Sequence, residues 1–153
     1  MKLIIYSITF VTLLFNSCSG LYQDAADDID IKGIDKIKLN SIDVLGHSVN
    51  LSIFINIYNR NSFKITLYES KYEVFVNNNY LGNGIYERDQ VIDNNSPTVI
   101  EYPLNTKIED AMLNLLNGGY KLNYRVTGNM LLKAKGIKIN VPFEVEEKKI
   151  TIK

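Results

Sequence analysis

From Val49 to Tyr58 the chain alternates: Val49, Leu51, Ile53, Ile55 and Ile57 fall on one face, and Asn50, Ser52, Asn56 and Tyr58 on the other, with Phe54 as the exception. Successive side chains of a strand point to opposite faces, so this period-two pattern, rich in β-branched residues, predicts a half-buried antiparallel strand. The same period recurs along the chain. An earlier strand is expected around Ile37 and Leu39, with Ile42 and Val44, ended by a turn at Gly46-His47. Phe63, Ile65 and Leu67 predict a short strand, and Tyr72, Val74 and Val76 another. The triplet Asn77-Asn78-Asn79 then predicts a hairpin turn, because Asn tolerates the left-handed backbone and bonds its own chain. Further strands are expected from Tyr80 to Tyr86, Thr98 to Leu104, Leu122 to Leu132 and Ile137 to Val145, with a closing run through Ile150 and Ile152.

One segment changes period. Thr106 is followed three positions later by Glu109, the pattern of a capping box, and Ile108, Ala111, Met112, Leu115 and Leu116 recur at helical spacing before Gly118-Gly119. This predicts a single helix of about ten residues whose apolar stripe covers an open end of the β-structure. Short strands at regular spacing with turn signals between them give an all-β fold, an antiparallel β-sandwich of the immunoglobulin or fibronectin III type with one short α-helix. A Cys-Trp-Cys set is missing, which excludes a true antibody-like domain.

The first residues follow neither period. Lys2 precedes an apolar run from Leu3 to Phe15, and Asn16-Ser17-Cys18 follows. A charged start, an apolar middle and a small-residue exit make a secretory signal, and the run is shorter than the roughly 20 apolar residues that span a bilayer. The chain's one cysteine stands at the end of that run. Phe15-Asn16-Ser17-Cys18 resembles the lipobox of a bacterial lipoprotein, although Phe15 departs from the usual Leu or Val. That resemblance implies lipid attachment at Cys18, with residues 1–17 removed as a signal peptide. Two or more acyl chains hold a protein firmly at a membrane. The small, acidic stretch that follows reads as a tether over residues 18–33, which leaves 34–153 as the domain. Asp28-Ile-Asp30-Ile-Lys32-Gly33 imitates the start of a calcium loop, but Lys32 sits at a ligand position and Leu39 where the bidentate Glu belongs.

Composition narrows the partners. The 153 residues carry 17 Lys and Arg against 17 Asp and Glu, so no positive field is available to hold a nucleic acid. One cysteine makes neither an internal disulfide nor a thiolate zinc site, and no metal or other cofactor is expected. His47 has no neighbouring second ligand or nucleophile and reads as a solvated turn residue. Gly82-Asn-Gly84 lacks the third glycine and the following helix of a phosphate loop. Glu144, Glu146 and Glu147 run into Lys148 and Lys149 as a solvated charged face. No catalytic residues are assigned, and the protein is expected not to be an enzyme.

The order of the motifs resembles a family. Ser48-Val-Asn-Leu-Ser-Ile-Phe-Ile-Asn-Ile-Tyr-Asn-Arg-Asn-Ser-Phe63 resembles the hallmark of the late embryogenesis abundant type 2 family, also called the WHy domain, in which an alternating strand runs into Asn-Pro-Asn and a hydrophobic residue. Tyr72 to Asn77 with Leu81-Gly82-Asn-Gly84 is similar to the family's hairpin, and Ser96 to Leu104 to its later strand. The helix and Tyr124-Arg-Val-Thr-Gly128 follow in order, so the resemblance covers roughly residues 35 to 146. Arg60 stands where the family most often has Pro, so Asn59 and Asn61 are expected to hold the turn through their side chains. Replacing either by Ala should then cost about 1 kcal/mol. With the lipobox resemblance, the family resemblance implies a noncatalytic, lipid-anchored protein of the bacterial cell envelope, at the outer membrane facing the periplasm, and adds a protective role in desiccation or other stress. The alternative is a binding module of the envelope for a protein, glycan or lipid.

Overall fold

The structure is a computed structural model and describes residues 25–111 and 121–151. Eight strands follow one another: β1 (Ile29–Asp43), β2 (Ser48–Asn59), β3 (Ile65–Val76), β4 (Asn79–Tyr86), β5 (Gln90–Ile92), β6 (Ser96–Lys107), β7 (Lys121–Ala134) and β8 (Ile137–Thr151). All pairings are antiparallel. One sheet has the order β1-β2-β6, and the other runs β4-β3-β7-β8 with β5 also paired to β3. This is the all-β sandwich that the alternation predicts.

The core lies where the apolar faces of both sheets meet. Ile53, Ile55 and Ile57 of β2 and Ile100, Tyr102 and Leu104 of β6 pack against Leu67, Tyr72 and Val74 of β3, Val126, Met130 and Leu132 of β7, and Phe143 of β8. Burying such side chains contributes roughly 1.5–3 kcal/mol each. Two hydrogen bonds join β6 to the other sheet: the Tyr72 hydroxyl of β3 donates to the Pro103 carbonyl, and the Thr106 hydroxyl donates to the Leu81 carbonyl of β4 at 2.5 Å. Phe54, the apolar exception on the outward face of β2, is half-buried there under the Lys36 ammonium, 4.6 Å from the ring centre.

The Asn triplet turns the chain as expected. Asn77 and Asn78 have φ of 49° and 66°, which Asn accommodates at little cost. Asn77 also extends the neighbouring ladder, its side-chain oxygen accepting from the Asn123 N–H at 3.0 Å.

Several expectations change. β1 begins at Ile29, inside the stretch assigned to the tether, and residues 25–27 form a helical turn with Ala25 buried. Its irregular register, shifting between Ile31 and Gly33, Ile34 and Lys36, and Leu39 and Ser41, erases the alternation by which strands are recognised. The two runs around Leu67 and Val74 are one strand, β3, with a register shift between Leu67 and Glu69. β8 likewise joins two expected runs. Thr106 does not cap the helix, because it belongs to β6, which runs on to Lys107, and its hydroxyl donates to the Leu81 carbonyl of β4. Residues 108–111 are helical. Met112, Leu115, Leu116 and Gly118-Gly119 lie outside the described residues.

Candidate functional site

The sequence-marked turn Asn59-Arg60-Asn61 leaves the end of β2, and its two amides are buried. The Asn59 amide nitrogen donates to the Phe63 carbonyl at 2.8 Å and the Ile92 carbonyl at 3.2 Å. Its oxygen accepts from the backbone N–H and from the side-chain amide of Asn61, both at 3.0 Å. The backbone carbonyl of Asn59 accepts from the Asn95 N–H at 2.7 Å. Asn61 in turn donates to the Ala25 carbonyl at 3.1 Å. One buried side chain thus joins its own turn to the end of β5, and the next carries the junction to the segment that enters the domain.

Arg60 projects from this junction to the surface. Its backbone N–H donates to the Asp28 carbonyl at 2.8 Å, and its guanidinium pairs with Asp30 at 2.5 Å. Hydrogen bonds from Lys32 and then Arg60 hold the Asp30 carboxyl below its usual range. The carboxylate that imitates a calcium ligand is therefore bound to two cations of the chain. Among the described residues no group of His, Cys, Asp and Glu is placed to hold a metal.

His47 sits at the other end of the sandwich, at the turn between β1 and β2. Its backbone is left-handed, with φ of 50°. Its carbonyl accepts from the Ile108 N–H at 3.1 Å and its Nδ1 lies 3.2 Å from the Glu109 carboxylate, so the exposed imidazole fastens the turn to the start of the helical residues. Glu109 is held below its usual range by its own backbone N–H first and then by His47.

A feature the motif reading missed lies on the five-stranded sheet. Tyr72 of β3 is paired in register with Gly84 of β4 on one side and Gly128 of β7 on the other. A Cβ at Gly84 would stand 2.3 Å from the Tyr72 hydroxyl, and one at Gly128 would stand 2.2 Å from the Lys71 carbonyl. Gly84 makes room for the Tyr72 ring, which lies edge-on to Tyr102 with centroids 4.9 Å apart, and Gly128 for the backbone beside it. Burial pushes the Tyr72 hydroxyl well above the ordinary phenol range and that of Tyr102 up to about 12. The hydroxyls of Ser70 and Tyr102 face each other in the interior without closing a hydrogen bond.

These glycines also floor an open concavity of about 590 Å³, framed by Lys71, Glu73, Asn83, Ile85, Thr127 and Asn129. Its side chains are hydrogen-bonding groups of both signs beside one exposed Ile. A second concavity of about 530 Å³, bounded by Asp35, Lys36, Phe54, Arg88, Asp89 and Glu101, lies between the three-stranded sheet and the segment joining β4 to β5. Cys18, the expected lipid-attachment residue, lies outside the described residues.

A family model described as late embryogenesis abundant protein matches residues 54–147. No curated protein sequence matches the chain significantly. Among solved structures, a protein of Archaeoglobus fulgidus is similar at 13% identity and a TM-score of 0.54, over 81% of this chain and 98% of that one. A protein of Arabidopsis thaliana solved in solution is similar at 16% identity and a TM-score of 0.58, over 80% of this chain and 83% of that one. At such identities these likenesses concern the fold. The family match begins at Phe54, five residues ahead of the buried Asn59 hub, and runs through the Asn hairpin and both glycines beside Tyr72, so this chain belongs to the late embryogenesis abundant type 2 family.

Proposed function

We propose that the protein is a noncatalytic, lipid-anchored lipoprotein of the bacterial cell envelope, whose late embryogenesis abundant type 2 domain protects envelope proteins or lipid under desiccation or related stress. The observation that carries the protective part is membership of the family over residues 54–147. The domain is an ordered sandwich with a continuous core, so its protection works by contact and not by the water retention of a disordered chain. Anchoring rests on Cys18, at the end of the apolar run and seven positions before Ala25, where the described structure begins. A lipid there would tether the domain through a short segment that enters it at the Asn61 junction.

Mass spectrometry and fractionation of the native protein, with Cys18→Ala as control, test the anchor. A thioether-linked lipid on Cys18 and release of the variant from the membrane fraction are expected. Processed Cys18→Ala protein that stays in the membrane would remove the anchoring reading. For protection, a desiccation-sensitive enzyme is dried with the domain or with an unrelated β-sandwich, and equal recovery in both would count against it.

The concavity framed by Lys71, Glu73, Asn83, Thr127 and Asn129 favours a second reading, a binding module. Its mixed donors and acceptors suit a neutral polar ligand such as a glycan. Glycan-array binding lost on Asn83→Ala and Asn129→Ala would support that reading over the first.

A further inference from the structure

The hairpin that joins β7 to β8 gathers three lysines. Lys133 and Lys138 stand directly opposite each other in register, on either side of the turn residues Lys135 and Gly136. Both ammoniums approach the ring of Tyr68, at 5.6 Å and 6.0 Å from its centre, and the Lys135 ammonium lies 4.3 Å from the centre of the Phe63 ring. Among the described residues none of the three is in an ion pair: Lys64 takes Asp93, Lys71 takes Glu69, and Lys32 and Arg60 share Asp30. We propose that Lys133, Lys135 and Lys138 form an anion site for the phosphate of anionic phospholipid headgroups, at the end of the domain nearest its anchor, an inference that rests on the lipid-anchor reading.

Two features of the hairpin work against its own stability. Like charges directly opposite in a ladder repel, and Lys133 faces Lys138. Lys135 and Gly136 have φ of 48° and 86°, the left-handed pair of a two-residue hairpin turn, which Asn-Gly or Asp-Gly fills at least cost. Asn in place of Lys135 would hold that backbone more easily, and Asp would also neutralise its neighbours. A hairpin selected for folding alone would carry neither feature. An anion site accounts for both, because a bound phosphate offsets the repulsion among the ammoniums.

Position on the fold selects a lipid headgroup as the source of the anion. Phe63, under Lys135, lies two residues beyond Asn61, and Asn61 donates to the Ala25 carbonyl at 3.1 Å, so the hairpin sits at the end where the chain enters the domain. Cys18 is seven positions before Ala25, a span of at most about 25 Å. A lipid on Cys18 therefore keeps this corner within reach of headgroup phosphates. The rest of the chain does not fill the site. β7 begins and β8 ends at the far end of the sandwich, where Lys121 pairs with Thr151, and the stretch from Cys18 that joins the domain here brings one carboxylate, Asp24, against three ammoniums. Asp27 and Asp28, in the same entering segment, make no ion pair with the hairpin lysines.

A protein partner fits this corner less well. All three cations are Lys, which protein interfaces deplete while they enrich Arg. Compact ammoniums meet phosphate oxygens as point charges. The whole chain balances 17 basic against 17 acidic residues, so the site is a local cluster that suits a phosphate group and no polyanion.

The described core residues all lie at or after Ala25, so residues 18–153 carrying Cys18→Ala keep the domain whole and read the site without a lipid or the apolar run from Leu3 to Phe15. This chain is sedimented with vesicles of phosphatidylcholine, with and without phosphatidylglycerol. Binding is expected only with phosphatidylglycerol and should weaken as salt rises. At roughly fivefold per lysine near an anionic surface, Lys133→Gln with Lys138→Gln should bind on the order of 20-fold more weakly. Lys38→Gln with Lys107→Gln removes the same charge toward the opposite end and should bind as the parent does. Lys135→Asn keeps the left-handed turn and should still lose about fivefold. Any of four results overturns the proposal. They are no sedimentation with phosphatidylglycerol, equal sedimentation with phosphatidylcholine alone, equal losses in the two double variants, and displacement from the vesicles by inorganic phosphate at constant ionic strength, which would make free phosphate the ligand. The anchor is read separately, as lipid on Cys18 of the native protein, and its absence there would remove the anchor without changing the vesicle result.

Discussion

The side-chain oxygen of Asn59 accepts two hydrogen bonds from Asn61, one from its backbone N–H and one from its amide, both at 3.0 Å. Asn61 thus loses the acceptor of its backbone N–H when Asn59 is truncated and keeps only its amide bond to Ala25, whereas Asn59 keeps its bonds to Phe63 and Ile92 when Asn61 is truncated. The two substitutions should therefore be unequal. Asn59→Ala leaves two carbonyls and an N–H short of partners in a fully buried site and is expected to cost about 2–3 kcal/mol, against about 1 kcal/mol for Asn61→Ala. Urea melts of both variants check this. Equal costs would show that the hub is not centred on Asn59.

Arg60 invites a substitution that family habit recommends and the structure opposes. Proline at this position would supply a preset φ but would delete the N–H that donates to the Asp28 carbonyl, and it would remove the guanidinium from Asp30. Arg60→Pro is expected to lower stability by about 1–2 kcal/mol. The exposed ion pair alone is worth under about 1 kcal/mol, so Arg60→Ala should be milder and its effect should shrink in high salt. A Pro variant more stable than the parent chain would contradict the role given to the Asp28 bond.

How much of this was legible depends on what each signal measures. Strict alternation reports a strand with one wet face, and β2, the hairpin strand β4 and β6 were recovered because each has one. β1 was recovered only in part, because three register shifts break its period and Ile34 is its one fully buried residue. β5, with Gln90, Val91 and Ile92, is too short to show a period at all. Asn59 and Asn61 could be picked out because a turn motif is local in sequence. Their bonds to Ile92 and Ala25 could not, since these join residues more than 30 positions apart. Gly128 and Gly84 were visible as residues but not as the two flanks of Tyr72, a relationship that exists only once β4, β3 and β7 are in register. Val44, which the alternation places at the end of β1, lies in the turn after it and is 71% exposed.

The glycines beside Tyr72 differ in what they touch, and so in what Ala would cost there. At Gly128 a Cβ would meet the backbone carbonyl of Lys71 at 2.2 Å, and backbone cannot swing aside. At Gly84 it would meet the Tyr72 ring, which can move only by giving up its bond to Pro103. Both substitutions should destabilise by about 1–3 kcal/mol. The Gly84 cost should largely vanish in a Tyr72→Leu background, whereas the Gly128 cost should persist. Thermal melts of the two double-mutant cycles measure the difference, and coupling of equal size in both would refute the distinction.

Tyr102 sets the behaviour of the domain in alkali. Burial pushes its hydroxyl up to about 12, with the Ser70 hydroxyl opposing that shift, whereas in the unfolded chain it ionises near the ordinary value of about 10. A group whose pKa is higher in the folded state is proton-bound more firmly there. Its contribution to stability is therefore complete below pH 10 and is lost as the pH rises toward 12. For Tyr102 alone the loss over that window is about 2–3 kcal/mol, and Tyr72, raised in the same direction by burial, adds to it. Near neutral pH, Tyr102→Phe removes a buried hydroxyl that closes no hydrogen bond and should change stability by less than about 1 kcal/mol. The variant should hold its stability further into alkali than the parent chain does. Urea midpoints at pH 8, 10 and 11 test both halves, and a parallel decline in parent and variant would place the alkaline weakness elsewhere.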